Sequence, residues 1–267
     1  ARGKCCKNSC AFCPYKNKIK NMKFGIVMAT KDYPYVQDFI DEHLKIGIDR
    51  IVIYDGSEKT HEFNHPNVII RRWDKPHVAG CAQYNEYVKE FGHETDFMTA
   101  FLDEDEIINT KGLDIHAAMQ PYEGWDSLAL NWRVFGGRVD EGNTSVKMVE
   151  KYLYHAPEDT KDPNGYNYIK SIVRNNAIVN ITDPHFPNLK PGKVNKGVNG
   201  NIVVGSITPV VDVVSSIWID HFHFQERERY IWSRTRYIEG RVTRSREEVA
   251  SLYDSCQPLC NKKRVDV

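Results

Sequence analysis

The chain contains no apolar run approaching the roughly 18–20 residues needed to span a bilayer, so no transmembrane helix is expected. It also lacks an excess of either charge. Its 36 basic and 36 acidic residues cancel, which removes the global electrostatic case for a nucleic-acid partner. The first residues are basic and hold no apolar h-region of the kind a secretory signal requires. A cytoplasmic protein is therefore expected, with membrane-associated or lumenal placement the alternative had an anchor been removed. Neither G-x-G-x-x-G nor G-x-x-x-x-G-K-[ST] follows any expected strand, which argues against dinucleotide-dehydrogenase and P-loop chemistry. No internal repeat is visible. What remains is ordinary: 267 residues, 41% hydrophobic and 27% charged, suit one large α/β domain or two small ones with a sizeable core.

Cysteine is scarce except at the two ends. Cys5, Cys6, Cys10 and Cys13 crowd the start, Cys256 and Cys260 the end, and Cys81 stands alone. Cys10-x-x-Cys13 and Cys256-x₃-Cys260 would make a Cys₄ zinc site if the two ends met, or would form disulfides. Adjacent Cys5 and Cys6 among Lys4, Lys7, Lys16, Lys18 and Lys20 also suit acylation on a polybasic anchor, hence peripheral membrane contact. A poorly ordered tail with reduced thiols competes with all three. Residues 1–22 are expected to be an appended segment, 23–255 the folded domain and 256–267 a tail.

Apolar runs bounded by polar residues place buried strands at 24–29, 51–54, 68–70 and 97–102. Between them, Val36, Phe39, Ile40 and Leu44 repeat at helical spacing up to a C-cap glycine, Gly47. Residues 79–91 form a second helix. Alternation of this kind predicts an α/β fold whose mostly parallel sheet has helices on both faces. Ligands of such sheets bind at the carboxyl ends of the strands. After residue 110, further strands are expected at 128–135, 169–174 and 217–219. A long excursion at 183–201 separates the last two, a charged helix spans 225–239, and a capping box at Ser245 and Glu248 opens a last helix.

The most informative stretch is FMTAFLDEDEII at 97–108. If the chain stayed extended past Leu102, Asp103 and Asp105 would share a face. Two carboxylates at the end of a buried strand repel unless something positive lies between them. Oxygen ligands of this kind suit Mn²⁺ or Mg²⁺ carrying a diphosphate. The bland reading is a solvated acidic turn. A phosphatase-like nucleophile motif fits poorly, because Ile107 stands at its fifth position and the motif follows about the fourth strand. A calcium loop is broken by Ile107 and Ile108.

Thr30-Lys31-Asp32, HLKIGIDRIVIYDGS, QYNEYV, FLDEDEII, LNWRVFGG, YIKSIVR, DPHF and DHFHFQERE occur in that order. Together they resemble metal-dependent GT-A glycosyltransferases of the family 92 and related family 2 type, over about residues 24–240. The resemblance implies a GT-A fold: a Rossmann-like nucleotide-sugar half (23–110) and an acceptor half (111–255) in one domain. It implies a nucleotide-sugar donor, with UDP the best match, and a glycan or glycoprotein acceptor. Ala29, Thr30 and Lys31 would line the nucleotide, Asp55 would hydrogen-bond it, and Gln83 and Asn85 would face the donor. Asp103 would contact the ribose or the metal's water shell, Asp105 would bind the metal directly, and Glu106 would orient its neighbours. His221 would close the metal site, with His223 as rival ligand. The family's late Lys-Ser pair is Gln225-Glu226 here.

Trp132 and Arg133 border the expected acceptor side, Trp132 as a face for a sugar ring, and Lys170 is a candidate phosphate clamp. Glycosyl transfer must stabilise a departing diphosphate, a Lewis-acid task. In an inverting enzyme a carboxylate takes the acceptor proton. Asp140, Glu141, Glu150 and Asp183 are the candidates, Asp140 preferred. A non-catalytic carbohydrate- or nucleotide-binding module is the reading from another class.

Overall fold

Alternation along the first strand sets the layering. The computed structural model describes residues 22–75, 81–157, 167–208, 217–235 and 244–264. Strand β1 is Lys23–Thr30, followed by α1 (Val36–Lys45), β2 (Arg50–Asp55), β3 (Val68–Arg72), α2 (Cys81–Phe91) and β4 (Phe97–Leu102). These strands pair in parallel in the order β3-β2-β1-β4. Ile26, Met28, Ile51 and Ile53 bury one face with Phe39 and Ile40 of α1. Val27, Ala29, Val52 and Tyr54 bury the other with Tyr84 and Tyr87 of α2. Period-two alternation thus covers both faces with helices, as the sequence predicts. Gly47 ends α1 at φ 87°, and an added Cβ there would meet Asp114 Oδ2 at 2.4 Å, so both conformation and space demand glycine.

The second half comprises β5 (Glu106–Asn109), α3 (Ile115–Met119), β6 (Ser127–Val134), α4 (Met148–Lys151), β7 (Tyr154–His155), β8 (Ile169–Arg174), β9 (Ile178–Asn180), β10 (Asn188–Leu189), β11 (Asn195–Gly197), β12 (Trp218–His221), α5 (Arg227–Thr235), α6 (Arg246–Cys256) and β13 (Lys262–Lys263). The sheet continues β4-β8-β6-β12-β5, with β11 also on β6. Here it turns mixed: β8 runs antiparallel to β4 and β6, and β5 antiparallel to β12.

This order forces a curl. Residues 103–105 alone join β4 to β5, although three strands separate the two in the sheet. Four strand spacings in a flat sheet are about 19 Å, whereas the connecting peptides reach about 14 Å at full stretch. The sheet therefore bends until β12 and β5 close over the end of β4. His221 pairs in register with Glu106, and Phe222 N–H donates to Asp105 O at 2.8 Å. The extended geometry expected past Leu102 does not hold. Glu106 N–H donates to Asp103 O at 3.2 Å, and this tight turn points Asp103 and Asp105 at different partners.

Two further departures concern the ends. Residues 256–264 pack into the fold: Cys256 and Cys260 are buried, and β13 pairs with β7. Cys10, Cys13 and the rest of the basic N-terminal segment up to residue 21 lie outside the described residues, and so does the zinc, disulfide or acylation reading built on them. The capping box at Ser245 and Glu248 forms reciprocally, at 2.7 and 3.2 Å.

His43 pins α1 to β5. Its Nδ1–H donates to Phe39 O at 2.8 Å, and Nε2 accepts Ile108 N–H at 3.1 Å. Both ring nitrogens are used by a neutral imidazole, and burial pushes its pKa down to about 3. The unfolded chain binds this proton below pH 6.5 and the folded chain does not. Stability is therefore full above pH 6.5 and falls as pH drops toward 3, by up to about 1.4 kcal/mol per unit. Urea denaturation between pH 7 and 5 should show this slope, and His43→Gln should lose it.

Candidate metal centre

His221 ends β12 and His223 follows two residues on, so both rings fall on one side while Phe222 turns away to stack on Phe135 at 4.7 Å. The curl supplies Asp105. Ligand atoms of Asp105, His221 and His223 all lie within 4.8 Å of one another. His221 Nε2 stands 3.5 Å from Asp105 Oδ1 and 3.2 Å from His223 Nδ1. Both imidazoles are buried. Burial, helped by Arg234 and His221, holds the His223 pKa well below its ordinary value, which leaves a lone pair for a ligand or donor. Arg234 Nη2 lies 3.0 Å from the same Nδ1. Two imidazoles and a carboxylate converging in this way could hold a divalent cation.

The other acidic residues form a separate cluster. Lys170, at the start of β8, reaches the end of β4 because the two strands are antiparallel. Its Nζ lies 2.9 Å from Asp103 Oδ2 and 3.3 Å from Glu106 Oε2, and its side chain is 1% exposed. Glu106 Oε2 also accepts Asp103 N–H at 2.7 Å. Burial works to raise the Asp103 carboxyl, but the Lys170 ammonium overrides it and holds the group far below the carboxylate range. Glu106 goes the other way. Its burial, with Asp103 and Asp105 adding like charge, pushes it well up against the pull of Lys170. The positive charge that the acidic stretch demands is thus partly intrinsic. Lys170, expected at a phosphate, is committed inside the protein.

The β1 and β2 ends pack against this turn. Buried Thr30 donates its hydroxyl to Glu104 Oε2 at 2.8 Å. Ala29 is buried on the α2 side, and Lys31 is exposed. Asp55 is fully buried. Its Oδ1 accepts Ser57 N–H at 2.9 Å, and its Oδ2 accepts His61 N–H at 2.7 Å and meets His61 Nδ1 at 3.0 Å. Both oxygens are spent on shaping the 55–61 loop, which contrasts with a nucleotide contact. Gln83 is fully buried. Asn85 ties α2 to the segment after β9, donating to Ile181 O and accepting Ile181 N–H at 2.7 and 2.9 Å.

The acceptor expectations need correction. Trp132 is 6% exposed. Tyr168 stacks on it at 5.2 Å, and His221 packs against it at 4.0 Å, so no open face is left for a sugar. Arg133 points to the opposite side of β6. Its Nε and Nη2 donate to Asp220 at 2.7 and 2.9 Å, and both residues are buried. It is a core ion pair, because neighbours along a strand alternate in face. Asp140 accepts Tyr154 OH at 2.5 Å and pairs with Lys263 at 2.6 Å, which joins it to the β7–β13 ribbon. Lys263 holds its pKa below the ordinary value, the wrong direction for a base. Asp183 accepts His185 N–H at 2.8 Å and the Ser206 hydroxyl, and so caps a turn.

Glu104, Arg234 and His185 were not singled out by the sequence. Glu104 and Arg234 carry no sequence signal beyond charge. His185 sits inside the DPHF motif, two residues past Asp183, and that motif was the available clue. No protein-family model matches the chain, and no curated protein is detectably similar to it.

Proposed function

We propose that this chain is a metal-dependent glycosyltransferase, moving a sugar from a nucleoside-diphosphate sugar, UDP being the best match, to a hydroxyl of a glycan or glycoprotein with inversion. The observation that carries this reading is the convergence of Asp105, His221 and His223 within 4.8 Å beside the carboxyl ends of β1 and β4, where α/β sheets bind their ligands. The order of the sequence motifs adds the resemblance to GT-A enzymes. A large α/β sheet is compatible with that fold, and no helix among the described residues is long and apolar enough to cross a membrane.

The donor set favours Mn²⁺ over Mg²⁺. Mg²⁺ prefers oxygen and keeps its water, whereas a transition ion accepts imidazole and carboxylate together. Bound there by Asp105, His221 and His223, the ion would act as a Lewis acid toward the departing diphosphate. The protein's own part is placement. The curl fixes Asp105 against His221, Thr30 fixes Glu104, and Lys170 holds Asp103 ionised while compensating its charge. Burial of the His223 imidazole holds its pKa well below the ordinary value and keeps it available as a ligand.

A thermal-shift panel tests the reading. UDP with Mn²⁺ should raise the midpoint, because a ligand that binds only the folded state stabilises by about 2.7 kcal/mol at a hundredfold excess over Kd. UDP alone should give little. A panel in which no nucleoside diphosphate stabilises the protein with Mn²⁺, while glycans alone do, would favour a carbohydrate-binding module instead.

A further inference from the structure

Three of the four carboxylates first considered as the base are occupied: Asp140 by Tyr154 and Lys263, Asp183 by the His185 amide and Ser206, and Glu150 by the Ser145 hydroxyl. Beside them stands a histidine whose geometry suits the task better. His185 Nδ1 lies 3.0 Å from the backbone carbonyl of Ile169. A carbonyl oxygen only accepts, so Nδ1 carries the proton, and the neutral ring presents Nε2 as a bare lone pair. Nε2 has no hydrogen-bond partner among the described residues, and the side chain is half-buried. The ring packs edge-on against Trp132 at 5.1 Å and lies 5.8 Å from Tyr168. Trp132 in turn contacts His221 at 4.0 Å, so one indole separates His185 from the metal ligands.

Resting on the glycosyl-transfer reading above, we propose that His185 is the general base of the reaction, with Asp183 and Ile169 as the groups that position it. The acceptor oxygen forms its bond to the anomeric carbon. The bond from that carbon to the diphosphate oxygen breaks, and its electron pair leaves with the nucleoside diphosphate. The acceptor proton passes to His185 Nε2 and then to solvent. Asp183 accepts the His185 amide and sets the turn, and Ile169 O selects the tautomer. This is the orienting role a second group plays toward a catalytic imidazole. The charged groups facing the ring are Lys170, Asp103 and Asp183. Burial, reinforced by Lys170 against the two carboxylates, pushes its pKa down to about 4, so the ring is neutral at physiological pH. Tyr168, half-buried and stacked on Trp132, is the aromatic surface left to meet an acceptor.

The test compares wild type, His185→Gln and His185→Ala. Long-range ¹H–¹⁵N correlations of the imidazoles, assigned by the signal missing from His185→Gln, should show Nδ1 protonated and Nε2 bare at pH 7. A bare Nδ1 or a doubly protonated ring would overturn the proposal without any turnover assay. Mn²⁺-dependent UDP binding should be the same in all three proteins. UDP release from UDP-glucose, UDP-galactose and UDP-N-acetylglucosamine should fall about 10²–10⁴-fold in both variants through kcat. Added imidazole should restore part of the His185→Ala rate. Turnover by His185→Gln within about tenfold of wild type, with UDP binding intact, would overturn the assignment while leaving the glycosyl-transfer reading in place. Absence of Mn²⁺-dependent UDP binding by the wild type would remove that reading and this proposal together.

Discussion

Asp105→Asn is expected to cut Mn²⁺-dependent UDP release from a UDP-sugar by about three orders of magnitude. The substitution keeps the size of the side chain and its place in the turn, where the backbone does the holding: Phe222 N–H donates to Asp105 O, not to the side chain. It removes the only carboxylate of the triad and leaves a neutral amide opposite the two imidazoles. A metal Lewis acid contributes several kcal/mol of charge stabilisation, and each 1.4 kcal/mol or so is a factor of ten in rate. Thermal stability should change little, since Asp105 is partly exposed and, among the described residues, its side chain pairs with His221 at 3.5 Å. Steady-state UDP release with Mn²⁺ in excess, read beside a melting curve, checks both halves. A variant that melts like wild type and turns over within tenfold would remove Asp105 from the metal.

Lys170→Met should act on folding instead. The ammonium is buried between Asp103 and Glu106, and its removal leaves two carboxyls without a counter-charge. Breaking a buried pair from one side costs about 3–5 kcal/mol. The lower end is expected, because Asp103 is partly open to water. The pH dependence follows from Asp103. Its folded pKa is depressed by Lys170, so its contribution is present above the ordinary carboxylate range and is lost as pH falls through that range toward the folded value. The variant has nothing to lose there. Its deficit should be nearly constant from pH 7 down to the ordinary carboxylate range and shrink as pH falls below it in urea titrations. Lys170→Met/Glu106→Gln should recover part of the loss, since the buried carboxyl leaves with the cation. A deficit below about 1 kcal/mol at pH 7 would contradict this account of the cluster.

Much of this architecture was legible in the chain. The apolar runs at β1, β2 and β4, bounded by polar residues, gave the parallel half of the sheet. The two-residue spacing of His221 and His223 and the isolated acidic stretch marked two sides of one site. What stayed hidden depends on long-range register. Nothing local says that residues 103–105 turn rather than extend, because the turn is imposed by β5 crossing back to pair with β12. Nor does the stretch reveal that Asp103 and Asp105 part company, one to Lys170 and the other to His221. Arg133 was misread for a related reason. Beside Trp132 in sequence, it lies on the other face of β6, and its partner Asp220 is 87 residues away. Asp183 stands among the candidate carboxylates by type alone, while its turn sets the neighbouring His185.

The central claim is that Asp105, His221 and His223 form a metal centre through which a nucleoside diphosphate binds. Calorimetric titration of UDP into the wild-type protein, with and without Mn²⁺, tests it most directly. One-to-one binding that needs Mn²⁺, and disappears in both Asp105→Asn and His221→Ala while these variants remain folded, is the predicted result. UDP binding that is indifferent to Mn²⁺, or that survives both substitutions, would contradict it.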